Sequence, residues 1–212
     1  MSSNNSNEIK IKIILLGDSS VGKTTILCNY IDNNYNEDVT PTVGLENRVK
    51  TIDIRGLKAK IQLWDTAGQE KYNSMTQQYF HNTDGILLVF DLTNKDSFSR
   101  IKKWLTEIKN NSDHHRVKKL LIGNKSDLKD KIKVSQDDID NLINKEKGLK
   151  YLEVSAKKNT NVSKAFENLI NSIVGKRTNE ELIADLGIND QVLSMSGSTL
   201  VNITGESKKK CC

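Results

Sequence analysis

Long apolar runs are what this 212-residue chain most plainly lacks. No stretch approaches the 18 or more consecutive apolar residues of a membrane-spanning helix. Charged residues make up 28% of the chain and mean hydropathy is −0.54, so a transmembrane protein is not expected. The opening "MSSNNSNE" has neither the basic flank nor the apolar stretch of a signal peptide, and the protein is expected on the cytosolic side. Cysteine is scarce as well. Of three, Cys28 falls in a predicted helix and Cys211 and Cys212 are neighbours, which makes no disulfide framework. Aromatics are 5%, and the positive charges alternate with Asp and Glu. A net charge of +5 therefore does not outline the basic stripe and stacking platform of a nucleic-acid-binding surface. His81, His114 and His115 have no Cys or Glu at ligand spacing and read as surface residues, not a metal site.

What is present is an alternation of strands and helices over one domain's length. The segments 9–17, 58–65, 85–91, 117–124 and 149–155 are apolar and rich in β-branched residues, and several are nearly continuous hydrophobic runs. That pattern suits parallel strands covered on both faces. The more polar "LENRVKTIDI" (45–54), followed by "RGLK", predicts an antiparallel edge strand and a hairpin turn. Helices are predicted near 22–32, 70–82, 96–110, 135–147 and 161–174. The order implies right-handed crossovers and a ligand crevice at the carboxyl ends of the strands. The pattern fades after Gly175. The expected organisation is a disordered start (1–8), a domain (9–175) and a flexible tail (176–212). In that tail Gly187 interrupts the helical stripe of Leu182, Ile183, Leu186 and Leu193, and a mobile linker is expected.

Directly after the first strand stand Gly17, Asp18, Ser19, Ser20, Val21, Gly22, Lys23 and Thr24, with Thr25 next, fitting G-x-x-x-x-G-K-[ST]. The glycines let the backbone bend so that successive N–H groups converge on phosphate oxygens at a helix N-terminus. Lys23 can reach the β- and γ-phosphates, and the Thr24 hydroxyl can ligate Mg²⁺. The motif alone says nucleoside triphosphate and leaves the base open.

The base is addressed by Asn124, Lys125, Ser126 and Asp127, at the end of a later strand. A carboxylate at Asp127 can accept from both N1–H and the 2-amino group of guanine. Adenine offers an acceptor at N1 and nothing at C2, so the carboxylate would be left unpaired. Lys125 can pack its stem along the base, Asn124 can brace neighbouring loops, and Ser155, Ala156 and Lys157 can offer backbone N–H groups to the guanine carbonyl. A third group is Trp64-Asp65-Thr66-Ala67-Gly68-Gln69-Glu70. Asp65 ends a strand where an acid holds Mg²⁺, Gly68 lets its N–H approach a γ-phosphate, and Gln69 can orient the attacking water.

"GDSSVGKT", "PTVG", "WDTAGQE", "NKSD" and "SAK" occur in the order and spacing of the Ras superfamily, and residues 9 to 175 resemble a Rab-family small GTPase. The resemblance implies an α/β P-loop GTPase fold: a six-stranded, mostly parallel sheet with one antiparallel edge strand and five helices. It also implies that Thr42 gives a second Mg²⁺-ligating hydroxyl and that 66–80 forms a second switch. Tyr35, on the same resemblance, lies edge-on to guanine. Implied partners are GTP and GDP with Mg²⁺, an exchange factor, a GTPase-activating protein, a prenyl-binding chaperone and effectors that read the nucleotide state. Nucleic acid is not among them.

No arginine in these motifs offers an internal finger, and Arg48 and Arg55 fall on the predicted edge strand as a solvated face. Intrinsic hydrolysis should then be slow, on the order of 10⁻⁴ per second as in a related GTPase, until a partner supplies the charge. Gln69, Gly68 and Thr42 favour a cycling switch over a nucleotide-locked scaffold, and "NKSD" with no lid insertion disfavours an ATPase or nucleotide kinase. Asn47 departs from the family, which places an aromatic there beside Trp64 and Tyr79. Lys71–Asn73 and Phe80–Asn82 depart as well, which leaves effector identity open.

The chain closes on "KKKCC" (208–212). With a Rab-like domain, Cys211 and Cys212 resemble a double geranylgeranylation signal. Two lipid chains hold a bilayer stably where one does not, and three lysines assist at an anionic surface. The expected place of action is the cytoplasmic face of a membrane, with cycling through the cytosol.

Overall fold

Residues 8–32, 45–66, 80–112 and 116–187 are described by the structure, a computed structural model. Their frame is a six-stranded sheet made of β1 (Glu8–Leu16), β2 (Leu45–Ile54), β3 (Leu57–Thr66), β4 (Gly85–Asp91), β5 (Lys118–Asn124) and β6 (Lys150–Glu153), in the order β2-β3-β1-β4-β5-β6. β1 runs parallel to β3 and β4, and β5 runs parallel to β4 and β6. Only β2 is antiparallel, paired with β3 from Ile54↔Leu57 to Leu45↔Thr66. The turn between them puts Arg55 and Gly56 at φ +55° and +83°, the signature of the tight hairpin that "RGLK" announced.

β4 is buried along its whole length, as GILLVFD requires. On one face Ile9, Ile11, Ile13 and Leu15 of β1 meet α1 (Lys23–Asp32) and α5 (Val162–Val174), where Tyr30 stacks on Phe166 at 3.8 Å. On the other, Ile14 and Leu16 join Leu88 and Phe90 beneath α3 (Ile101–Asn111) and α4 (Gln136–Lys145). The helix expected over 96–110 is divided at Arg100, which closes the short α2 (Lys95–Ser99) and opens α3. The helix expected over 70–82 lies outside the described residues except for Phe80–Asn82.

The expectation of a flexible tail from 176 is corrected for 176–187. Here the chain forms α6 (Asn179–Leu186), started by a capping box in which Thr178 and Glu181 exchange hydrogen bonds. Leu182 and Leu186 are buried in the β1-side core, and Gly187 forms an antiparallel bridge to Ile9. Arg55, exposed in the turn after β2, donates to the carbonyls of Gly175 and Arg177 at 2.9 and 2.8 Å. Asp185 completes the clamp by pairing with Arg116 and Arg177. The apolar stripe ahead of Gly187 is long enough for two turns, and its partners lie far away in sequence.

Candidate nucleotide-binding site

β1 sits at the point where the strand order reverses, with β3 on one side and β4 on the other. Loops leaving the carboxyl ends of such strands enclose a crevice. Gly17 to Gly22 is one of them. Gly17, Ser20 and Gly22 have φ of +148°, +62° and +93°, conformations that turn successive N–H groups inward to make an anion-binding nest. A Cβ on Gly17 would lie 2.1 Å from the Val89 carbonyl oxygen. α1 begins at Lys23, directly beyond the loop, so the helix adds its N-terminal dipole.

Lys23 is 5% exposed. Its Nζ donates to the carbonyls of Gly17 and Asp18, both at 2.8 Å, closing the loop on itself. Burial lowers its pKa to about 8, against the opposing pull of Asp65 and Asp18. An ammonium has three donors, so a phosphate oxygen can be taken as a third partner without breaking these bonds. Thr24 donates its hydroxyl to Asp65 Oδ2 at 2.6 Å, and Asp65 at the end of β3 is wholly buried. Thr25 follows, half-buried in the first turn of α1.

The second half of the site comes from β5 and β6. Asn124, 1% exposed, donates Nδ2–H to the Val21 carbonyl at 2.8 Å and accepts from Ala156 N–H at 3.0 Å. One side chain thus ties the glycine loop to the loop after β6. Lys125 adopts φ +65° and its ammonium lies 2.6 Å from Asp91 Oδ2. Ser155 donates its hydroxyl to Asp127 Oδ1 at 2.6 Å and accepts the Lys158 N–H at 3.0 Å. Asp127 is therefore aimed by a neighbour the sequence assigned to another task.

The Ser155–Lys157 expectation changes in one respect. The N–H groups of Ser155 and Ala156 are engaged inside the protein, by the Thr160 carbonyl and by Asn124 Oδ1. A base that drew on the Ala156 N–H would share it with Asn124 or displace Asn124 from it. Missed altogether from the sequence were Ser155 as the orienter of Asp127, Asp91 as the partner of Lys125, and Arg100, which pairs with Asp18 in the phosphate loop at 2.9 Å. None follows from a local pattern, since each contact joins loops after different strands.

Asn47 is exposed and lies opposite Trp64 in the β2–β3 register, so its polar side chain meets solvent. His81 is exposed. Tyr35, Thr42, Gly68, Gln69, Tyr79, His114, His115, Cys211 and Cys212 lie outside the described residues.

The Ras family profile matches residues 12–175. Similar proteins include the Ras-related protein Rab-13 of Bos taurus, 41% identical over 165 residues that span 78% of this chain and 80% of that protein. Ras-related protein Rab-10 of Diplobatis ommata is 36% identical over 205 residues, 97% of this chain and 96% of its own length. Ras-related protein Rab11C of Lotus japonicus is 37% identical over 203 residues, 95% of this chain and 93% of its own. With the phosphate loop at the sheet's switch point, the chain belongs to the Ras family, as a GTP-hydrolysing small GTPase of the Rab type.

Proposed function

We propose that the protein is a membrane-anchored switch in vesicle trafficking, binding GTP and GDP with Mg²⁺ and recruiting effectors in the GTP state. One observation carries the guanine assignment. Asn124 fastens the loop that would hold phosphates to the loops that would hold the base, so Asp127 stands at a fixed distance from Lys23. A nucleotide spanning both ends meets a carboxylate that only a guanine edge satisfies twice.

The residues fit the metal as well. Thr24 and Asp65 bring a hydroxyl and a buried carboxylate together at 2.6 Å, a hard-oxygen pair of the kind Mg²⁺ prefers, and Thr42 is proposed as a further ligand. Held by Thr24 and Asp65, Mg²⁺ would supply positive charge to offset that of the phosphates. Lys23 would spread the phosphate charge, the loop amides of 17–24 would hold the phosphates in register, and Gln69 is assigned the water and the Gly68 N–H the γ-phosphate. Tyr35 is assigned the edge-on contact with the base. Loss of the γ-phosphate releases Thr42 and Gly68, and exchange factors, activating proteins and effectors act on the segments that carry them.

Among the described residues no helix is long and apolar enough to cross a membrane. Anchoring is assigned to geranylgeranyl groups on Cys211 and Cys212, delivered by a prenyl-binding chaperone to the cytoplasmic face.

Competition of GTP against ATP for the purified chain tests the base assignment, and equal displacement would sink it. Single-turnover hydrolysis should be slow alone and faster with cell extract, an acceleration that Gln69→Leu abolishes. No acceleration in extract would point to a nucleotide-locked scaffold. Replacing both terminal cysteines by serine should release the protein from membranes.

A further inference from the structure

A carboxylate is an unexpected member of a loop built to hold anions. Asp18 is the second residue of the phosphate loop and is 5% exposed, so water does little to screen it. Left alone it would oppose every phosphate oxygen brought to the nest. The structure answers that charge from a distant element. Arg100 Nη1 lies 2.9 Å from Asp18 Oδ2, and Trp104 donates its indole N–H toward Asp18 Oδ1 at 3.4 Å.

Arg100 and Trp104 are four residues apart, on one face at the start of α3. The Trp104 N–H donates to the Arg100 carbonyl at 3.2 Å, and the Arg100 N–H to Asp96 at 3.1 Å, so the backbone that carries both side chains is fixed. That backbone is anchored in turn. Asn94 caps α2, and the Ser97 hydroxyl accepts from Asp91 N–H at 3.0 Å. Asp91 is the residue whose carboxylate pairs with Lys125. Segment 91–104 therefore holds the phosphate loop with one end and the base-recognition loop with the other. Asp18 also uses its backbone carbonyl to hold Lys23 Nζ.

We propose that Arg100 is a positioning residue of the phosphate site: it neutralises the Asp18 carboxylate and turns it away from the nest, so that the loop presents its amides and Lys23 to the phosphates. The inference rests on the nucleotide-binding reading above. The ligand class it concerns is the polyphosphate of the nucleotide rather than the base. Removing the guanidinium should therefore weaken binding more as the phosphate charge increases.

The test is competition binding of GTP, GDP and GMP to the full-length chain as wild type, Arg100→Ala, Arg100→Lys and Arg100→Ala with Asp18→Asn, each with its thermal midpoint. Arg100→Ala should weaken GTP and GDP roughly tenfold and GMP distinctly less. Arg100→Lys, which keeps the charge, should recover part of the loss, and Asp18→Asn in the alanine background should recover most of it, because the carboxylate to be neutralised is gone. An equal loss for all three nucleotides, with a lowered midpoint and no recovery by Asp18→Asn, would show a merely structural contact and overturn the proposal. So would unchanged affinities in Arg100→Ala. If the wild-type chain bound none of the nucleotides, the functional reading itself would fall, a different result from either.

Discussion

A Cβ placed on Gly22 would lie 2.4 Å from Nδ2 of Asn124, closer than real side chains approach one another. The glycine at the end of the phosphate loop is thus a packing requirement as well as a conformational one. Its φ of +93° disfavours any side chain, and its missing side chain is the space into which the Asn124 amide fits on its way to Val21 and Ala156. Phosphate site and base site meet at this contact.

Gly22→Ala should therefore damage both halves together. Displacing Asn124 breaks two buried hydrogen bonds, and each partner left without one costs about 1–3 kcal/mol. The expected result is a loss of GDP affinity of roughly 30-fold or more, measured by displacement of a fluorescent nucleotide, with the far-ultraviolet circular dichroism unchanged. Retained affinity would mean that Asn124 can leave its place without consequence.

Ser155→Ala tests a residue with a different task from the one its motif suggested. The hydroxyl donates to Asp127 at 2.6 Å, and hydrogen bonds to charged groups contribute about 1.5–3 kcal/mol. Without it the carboxylate is free to rotate from the guanine edge. The preference for GTP over ATP should shrink roughly tenfold or more in competition binding, while the loop that holds phosphate is untouched. An unaltered preference would mean that Asp127 is aimed by other groups.

The sequence made the site legible wherever chemistry depends on local spacing. Gly17 to Thr24 is a contiguous loop, and its glycines, lysine and threonine have to be neighbours for the backbone to wrap an anion. Asn124 and Asp127 share a loop for the same reason. β4 was readable because a strand covered on both faces has to be apolar throughout. What stayed hidden were pairings between loops that follow different strands, such as Arg100 with Asp18 or Lys125 with Asp91, which the crossover topology creates. α6 was lost for a related reason: only two of its apolar side chains are buried, and they are covered by β1, which lies at the other end of the described chain. The break at Arg100 was equally invisible, since 95–111 has the composition of one continuous helix.

If α6 belongs to the core, Leu182 should behave as a core residue. It is fully buried, and truncation of such a leucine costs about 2–5 kcal/mol. Leu182→Ala should lower the thermal midpoint by roughly 5–15 °C for a domain of this size. A chain ended after 187 should melt above one ended after 175. Equal midpoints for these two truncations would return 176–187 to the status of a linker.

The pole where α6 docks also sets a pH dependence. Asp84 accepts the Lys12 backbone N–H at 2.9 Å, and burial raises its pKa above the ordinary value of 3.8. The Lys12 hydrogen bond, Arg116 and Arg177 pull the other way, and Asp185 adds to the rise. A carboxyl whose folded pKa is raised holds its proton to higher pH than the unfolded chain does. Its favourable contribution is complete below about 3.8 and is lost as pH rises through the folded value. Asp84→Asn keeps an acceptor for Lys12 and removes the titration. Relative to the variant, the wild-type domain should therefore lose stability between acid and neutral pH, read as urea midpoints compared at pH 4 and pH 7. A difference between the two proteins that stayed constant across that range would mean that Asp84 titrates alike in the folded and unfolded chains, its burial fully offset by the Lys12 hydrogen bond and the neighbouring arginines.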